Sequence, residues 1–320
     1  MIEVANLSKK YGAFEAVRDV SFSVGSVEVL GFLGPNGAGK TTIMKILTGY
    51  HFPSRGEVRI DGISLEENPT EIKNRIGYLP ETVPLYGDLN PEEYLSFAAS
   101  ARLLPKGERQ RAVDSALAAC GLQGVRRQRI ESLSKGYKQR VGLAQAIIHD
   151  PPILILDEPT SGLDPNQIIE IRALIRELGK RKTVILSTHI LQEVEAVCSR
   201  VLILNEGRIA AQGTSEEIAG NMRGQDSWEL LLKGALGQDL EANLPALDIR
   251  EVSTEALANG AIRLRLVVRD SGDENGEVIF DWAVSRGYKI IGMTRKNLSL
   301  EDIFVKLTVS ERQVIKEEEP

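Results

Sequence analysis

Apolar and polar residues alternate along residues 2–32, the period that places every second side chain on one face of a β-strand. Turn-forming residues at 9–12 and 25–26 interrupt the alternation, so we expect several strands in this stretch. Residues 57–60 and 75–79 show similar apolar patterns, each ending at a turn former. The first part of the chain is therefore predicted to be rich in β-structure.

The pattern changes to a helical one over residues 91–148, where Leu, Ala and Arg recur at helical spacing. This region is predicted to form a helical lobe. Two short, wholly apolar strands follow at 153–156 and 183–187, separated by a predicted helix at 165–181. Strands that are apolar on both faces are typical of a parallel sheet covered by helices. Residues 201–212 then predict a β-hairpin.

A second domain is predicted from a change of composition near the polar stretch 213–225. We expect a first domain at 1–215, a linker at 216–225, an accessory α+β domain at 226–310 and a charged, solvated tail at 311–320. The accessory domain's predicted elements are strand 228–233, helix 239–247, strands 249–256 and 261–268, helix 274–286, strand 288–295 and a closing helix 299–308. This order is ferredoxin-like, and a looser α+β topology is the alternative.

Size and charge limit the function. A chain of 320 residues suggests about two domains. Its formal charge of −6 argues against broad nucleic-acid binding, so no nucleic-acid partner is expected. Cys120 and Cys198 form no metal-ligand spacing and are expected to be core residues of a reducing compartment. We expect no membrane-spanning segment and no signal peptide, because the chain has no sufficiently long apolar run.

A glycine-rich segment between a predicted strand and a predicted helix matches the phosphate-binding loop G-x-x-x-x-G-K-[ST]. Its residues are Gly34, Pro35, Asn36, Gly37, Ala38, Gly39, Lys40, Thr41 and Thr42. Glycines permit turns that point backbone N–H groups into one concavity, and the helix N-terminus adds positive potential. Lys40 is expected to reach the β- and γ-phosphates, and the Thr41 hydroxyl to hold Mg²⁺. The alternative is an ordinary Gly-rich turn.

The strand at 153–156 ends in two adjacent acids, Asp157 and Glu158. Because neighbouring strand residues point in different directions, the two carboxylates can have different roles. Asp157 is expected to complete the Mg²⁺ shell, and Glu158 to orient or deprotonate the attacking water. The alternative is an acidic pair facing solvent. The phosphate loop alone leaves kinases, GTPases and ATPases open.

The segment Leu133-Ser134-Lys135-Gly136-Tyr137 lies at the start of a predicted helix and, by itself, indicates only an ordinary capped helix. With the loop, the acid pair, the segment 161–164 and His189, it resembles in order and spacing the nucleotide-binding ATPases of ABC transporters, whose signature is usually LSGGQ. The resemblance covers residues 1 to about 215. It implies a phosphate-loop NTPase α/β core with an antiparallel β subdomain and a helical lobe.

The resemblance also implies residue roles and partners. Tyr11 would stack on adenine, or else be a surface tyrosine at a strand end. His189 would contact the γ-phosphate, and Asp164 would lie in a loop crossing between two sites. Ser134 and Gly136 would close over ATP held by another copy, because each site in this family pairs one subunit's loop with the other's signature. We therefore expect an ATP-sandwiched homodimer with Mg²⁺ and ATP as cofactors.

Three positions depart from the family pattern. Glu81 stands in place of a glutamine; it is expected to offer an oxygen to Mg²⁺ or to the water while adding negative charge. Lys135 replaces a signature glycine, as either an extra cation near the partner's phosphates or a solvated side chain, and Tyr137 replaces the signature glutamine. Val27 replaces a turn glycine, with a local effect on stability. Glu81 and the LSKGY form resemble a subset that serves exporters with a separate membrane subunit.

The expected function is therefore ATP binding and hydrolysis that energises export through a separate permease. The chain would lie peripherally on the cytoplasmic face of the membrane, with residues 81–95 near the permease's coupling helix. The alternative is a soluble ABC-type regulatory ATPase without transport. A GTPase is disfavoured because no NKxD-like guanine-reading segment is present. The C-terminal domain is expected to be regulatory or dimer-stabilising, and the transported substrate is not encoded in these patterns.

Overall fold

The computed structural model describes residues 1–221, 226–234, 244–257, 260–269, 274–296 and Phe304. The chain divides into two compact units, Met1–Thr214 and Ser215–Pro320. Within the described ranges, no helix is long and apolar enough to cross a membrane. Each unit has its own hydrophobic core.

The first unit contains two sheets and seven helices in its described residues. Its strands are β1 (Ile2–Tyr11), β2 (Phe14–Val24), β3 (Val29–Leu33), β4 (Arg55–Ile60), β5 (Ile63–Ser64), β6 (Ile76–Leu79), β7 (Ile153–Asp157), β8 (Thr183–Thr188), β9 (Arg200–Asn205) and β10 (Arg208–Gly213). Its helices are α1 (Lys40–Leu47), α2 (Pro69–Arg75), α3 (Pro91–Ala101), α4 (Lys106–Ala119), α5 (Lys135–Ile147), α6 (Pro165–Gly179) and α7 (Leu191–Val197).

The antiparallel sheet has the order β2-β1-β4-β5. The alternation in residues 2–32 forms strands because the buried side chains of β1 and β2, such as Leu7 and Val20, share one covered face. These side chains pack in the same core as α1 and one face of the second sheet. The rings of Phe22 and Phe32 meet edge to face there, with centroids 5.3 Å apart.

The second sheet has the order β10-β9-β3-β8-β7-β6, with only β10 antiparallel to its neighbour. Every residue of β7 and β8 is buried, as the apolar runs at the centre of these strands predict. The strands β3, β7 and β8 are neighbours and run in the same direction. Their carboxyl ends therefore lie at one edge of the sheet, where the phosphate loop, the acid pair and His189 follow.

The helical lobe predicted at 91–148 consists of α3, α4 and α5, with two short 3-10 turns before α5. Helix α3 begins at a capping box in which Asn90 and Glu93 each accept a backbone N–H of the other. The lobe's apolar side chains share a core with the face of the parallel sheet that carries Leu154 and Leu156. Cys120 belongs to this core, and burial raises the pKa of its thiol to about 12.

The second unit contains α8 (Ser215–Asn221), β11 (Asp226–Lys233), β12 (Ile249–Ala256), β13 (Ile262–Val268), α9 (Glu274–Ser285) and β14 (Lys289–Lys296). Its sheet has the order β12-β13-β11-β14 with all neighbours antiparallel, the arrangement expected of a ferredoxin-like fold. Leu230, Leu264 and Ile279 are fully buried in the core between this sheet and α9.

Several elements expected in this unit differ from the structure or lie outside the described residues. Most of the segment predicted as the linker, 216–225, belongs to the helix α8 (Ser215–Asn221), which has Glu216 and Glu217 in its first turn, where acids stabilise a helix. The helix predicted at 239–247 is wrong over 244–247, which are not helical and include a proline. Residues 239–243, the tail 311–320 and the closing helix 299–308, apart from the helical Phe304, lie outside the described residues.

Candidate functional site

The loop between β3 and α1 needs glycine for its shape. Gly37 and Gly39 have φ of 85° and 101°, in the left-handed region that favours glycine. A Cβ on Gly34 would lie 2.4 Å from the Leu204 carbonyl oxygen, and one on Gly39 would lie 2.7 Å from that of Ala16. Among the described residues, no side chain caps α1, so its first N–H groups are available to an anion.

Lys40 lies across this loop. Its Nζ donates to the carbonyl oxygens of Gly34, at 2.7 Å, and Pro35, at 3.2 Å, and lies 3.6 Å from Oε1 of Glu158. The side chain is buried, and burial lowers its pKa, although the charges of Glu158, Asp157 and Glu81 act in the opposite direction. The ammonium group is thus fixed where phosphate oxygens would enter the loop.

Asp157 ends β7 and is 1% exposed. Its Oδ1 accepts from the Ser187 hydroxyl at 2.6 Å and from the Thr41 hydroxyl at 3.3 Å. Its Oδ2 is buried without a hydrogen-bond partner in the described part of the chain. Carboxylate and hydroxyl oxygens are ligands that Mg²⁺ prefers, and an unpaired buried carboxylate oxygen is costly without a cation. The residues present therefore fit a magnesium ion held by Thr41 and Asp157.

Glu158 lies between a cation and an imidazole. Its Oε1 lies near Lys40, and its Oε2 lies 3.0 Å from Nδ1 of His189, at the end of β8. Its backbone N–H donates to the Ser187 hydroxyl at 3.0 Å. Its φ of 48° is unusual for a residue with a side chain and is the kind of local strain found at active sites. The arrangement directs an acid and a histidine toward the same cleft.

That cleft has a volume of about 540 Å³ and is lined by the phosphate loop, Glu81, Glu158 and His189. Two exposed aromatic rings, Tyr11 and Phe14, lie on its wall. They are opposite each other at the end of the β1–β2 hairpin. The sequence predicted only Tyr11; Phe14 was missed, and its signal was an aromatic residue just across the Gly12 turn. Two rings at this position can hold a planar, aromatic group such as a nucleobase.

Glu81 follows β6 and is exposed. It lines this cleft and also a second cleft beside the helical lobe, where Lys135 lies. Its charge acts on Lys40, so it contributes negative potential at the phosphate end of the first cleft. Glu81 therefore lies in the cleft, where its carboxylate was predicted to offer an oxygen and to add negative charge.

The structure does not bring Ser134, Gly136 or Asp164 to this cleft. The Ser134 hydroxyl accepts the Tyr137 N–H at 3.4 Å and caps α5. Asp164 caps α6 by accepting the Gln167 N–H at 3.0 Å. A Cβ on Gly136 would lie 2.6 Å from the Gln167 side chain, so Gly136 leaves room for that side chain where α5 meets α6. These residues therefore lie outside the cleft that contains their own chain's phosphate loop.

Comparison with known proteins also indicates an ATP-binding site in this chain. Residues 17–161 match the family model described as ABC transporter. The bacitracin transport ATP-binding protein BcrA of Bacillus licheniformis is 34% identical over 96% of this chain and 97% of its own length. The linearmycin resistance ATP-binding protein LnrL of Bacillus subtilis is 29% identical over 96% of this chain and 98% of its own length.

Among solved structures, a dimeric post-hydrolysis state of the ATP-binding cassette MJ0796 bound to ADP and Pi is similar to this chain. The TM-score is 0.61 at 26% identity, covering 67% of this chain and 98% of the other. The fold and site define a phosphate-loop ATPase of the cassette type. The chain belongs to the ATP-binding subunits of ABC transporters, and its predicted fold class and ATPase activity are confirmed.

Proposed function

We propose that two copies of this chain enclose Mg·ATP and that its hydrolysis energises export through a separate membrane permease. Lys40 and the loop N–H groups would bind the phosphates, with Tyr11 and Phe14 beside the base. Thr41 and Asp157 would hold Mg²⁺, which supplies neutralisation of phosphate charge when bound. Glu158 would accept the proton of the attacking water, and His189 would contact the γ-phosphate.

The proposed dimer is supported by one observation: the phosphate-loop half and the signature half of the predicted site lie apart on the same chain. The loop, Glu158 and His189 line one cleft, whereas Ser134 and Gly136 lie elsewhere on the same chain. A second copy would supply the missing half to each cleft. The dimeric ADP-bound cassette, similar in fold, supports this arrangement.

The dimer is tested with Glu158→Gln, which keeps the shape of the side chain and removes the proposed base. With Mg·ATP, this variant should run as a dimer in sedimentation velocity and as a monomer without nucleotide. Adding Ser134→Arg, on the exposed start of α5, should prevent dimerisation and leave ATP binding within about twofold, because the side chain lies outside the cleft. A Glu158→Gln protein that binds ATP yet stays monomeric at every concentration would overturn the proposal.

The proposals of export and of a permease partner are supported by other observations than those for the dimer. BcrA carries the name of a transport protein and LnrL that of a resistance protein, and both match nearly this whole chain. Within the first unit, the rings of Tyr86 and Phe97 are about half exposed with centroids 5.5 Å apart, beside the segment after Glu81. This aromatic pair suits a short amphipathic helix of a permease at the inner face of the membrane.

The permease proposal predicts co-purification with a multi-spanning membrane protein. Tyr86→Ser together with Phe97→Ser should abolish co-purification and retain the basal ATPase of the isolated subunit. Leu103→Ser is the matched control, since Leu103 is also an exposed apolar residue of the helical lobe. Full ATPase activity with no membrane partner in the source cells would instead favour the soluble regulatory ATPase.

A further inference from the structure

A buried carboxylate lies behind the acid and histidine of the cleft. Glu193, in the first turn of α7, is 2% exposed. Its Oε1 accepts from the Thr160 hydroxyl at 2.5 Å, and its Oε2 accepts from the Thr188 hydroxyl at 2.6 Å. Glu193 does not line the cleft, so it cannot touch the nucleotide there.

The two threonines belong to the segments that carry the proposed catalytic groups. Thr160 lies two residues after Glu158, and Thr188 immediately precedes His189. The Thr188 hydroxyl also accepts the Ile190 N–H at 3.0 Å, which fixes the turn after His189. One carboxylate therefore joins the segment after β7 to the segment after β8, and Glu158 and His189 meet at 3.0 Å between these ends.

The contacts of Glu193 offset the free-energy cost of burying its carboxylate. A buried carboxylate is costly unless it is hydrogen-bonded and its charge is balanced. Both oxygens of Glu193 are hydrogen-bonded, and Nη2 of Arg172 on α6 lies 3.8 Å from Oε1. Removing the carboxylate would leave the hydroxyls of Thr160 and Thr188, which are both almost fully buried, without this acceptor. The two segments would then lose their shared anchor.

We propose that Glu193 is a positioning residue for ATP hydrolysis, holding Glu158 and His189 in register through Thr160 and Thr188. The inference rests on the proposed roles of Glu158 and His189. Misplacing a reacting group by about 1 Å can cost about 100-fold in rate, even when the altered residue is remote. The phosphate loop is anchored by other contacts, through Lys40 and the Gly34 carbonyl, so nucleotide affinity should be spared.

The test uses the full-length protein and compares Glu193→Ala, Glu193→Gln and the matched control Glu195→Gln, an exposed acid on the same helix. Glu193→Ala should lower kcat about 10- to 100-fold and change the Kd of a fluorescent ATP analogue less than about twofold. Glu193→Gln keeps the length and an acceptor oxygen, so it should retain kcat within about threefold. Glu195→Gln should match the unaltered chain.

A second set of variants covers the case in which Glu193→Ala fails to fold. Thr160→Val and Thr188→Val each remove one hydroxyl with little change of shape and should each lower kcat at unchanged Kd. In the His189→Ala background, Thr188→Val should lower kcat much less than in the unaltered chain, because a group acting through His189 has no further effect once the imidazole is removed. Equal fold-losses in both backgrounds would overturn the positioning role.

Two results separate this inference from the proposed function. If Glu158→Gln keeps full ATPase activity, the proposed role of Glu158 is wrong. If Glu158→Gln abolishes activity while Glu193→Ala, Thr160→Val and Thr188→Val all retain kcat, only the role of Glu193 is overturned. A fall in ATP affinity equal to the fall in kcat for a folded Glu193→Ala protein would also overturn it, since that pattern indicates a general structural defect.

Discussion

Replacing Val27 with glycine should stabilise the first unit. Val27 has a φ of 54°, in the left-handed region, and stands in the turn before β3. An L-residue in this region costs about 1–2 kcal/mol, and a β-branched side chain is especially unfavourable there. Val27 is 53% exposed, so truncating it loses little burial. The backbone N–H of Val27 donates to the Thr183 hydroxyl at 3.0 Å and holds the turn. Glycine keeps this N–H, so the hydrogen bond is retained in Val27→Gly.

The expected gain is smaller than the strain that is removed. Glycine costs about 0.5–1 kcal/mol through the greater freedom of the unfolded chain, which leaves a net stabilisation of about 0.5–1 kcal/mol. For a domain of 150–250 residues, about 1 kcal/mol shifts Tm by about 2–4 °C. The Tm of the transition assigned to the first unit should therefore rise by about 1–4 °C, measured by scanning calorimetry on the full chain.

Val27→Ala is the matched control because alanine shortens the side chain and still pays the left-handed penalty. It should recover only the part of the strain that comes from branching at Cβ, and so less than glycine does. A lower Tm for Val27→Gly, or an equal rise for Val27→Ala, would show that the backbone conformation at this position is not the source of strain.

Three further predictions concern the cleft and the second unit. Gly39→Ala should abolish ATP binding in an equilibrium titration, since φ is 101° and a Cβ would lie 2.7 Å from the Ala16 carbonyl oxygen; near-normal affinity would contradict the loop geometry. Phe14→Ala should weaken ATP binding by about 1–3 kcal/mol if the ring stacks on the base, with inorganic triphosphate affinity unchanged as the control. Truncation after residue 221 should leave ATP binding intact and weaken dimerisation or permease coupling, and unchanged transport would contradict this role.

Much of the fold follows from local pattern. The strands of residues 2–32 are confirmed because their alternating side chains match a sheet with one covered face. The strands β7 and β8 are confirmed because their continuous apolar runs match a sheet covered on both faces. The short helices α2 and α7 were not predicted, since seven residues give too few turns for a clear period. The helix α8 was not predicted, because the polar composition of this segment indicated only a linker, although Ser215 and two acids form a helix start.

Site residues that follow the ends of recognisable strands could be predicted from the sequence. Site residues that depend on contacts between distant segments could not. The residues Lys40, Asp157 and His189 each follow a strand or loop recognisable in the sequence, and parallel strands place them at one edge. By contrast, Phe14 enters the cleft only because the β1–β2 hairpin reaches it. Glu193 is one acid among many in the sequence, and its importance depends on two threonines from other segments.

The signature segment at the start of α5 and the loop before α6 are connected within one chain by two side chains, Gln167 and Lys135. Gln167 donates its backbone N–H to Asp164, at the start of α6, and its side chain packs where Gly136 leaves room on α5. Lys135 Nζ would lie 2.1 Å from a Cβ on Gly162, so the residue that departs from the family pattern also contacts this loop. The N-terminal ends of α5 and α6 therefore form one surface, on which the exposed Lys135 side chain lies close to Gly162 in the loop that carries Asp164.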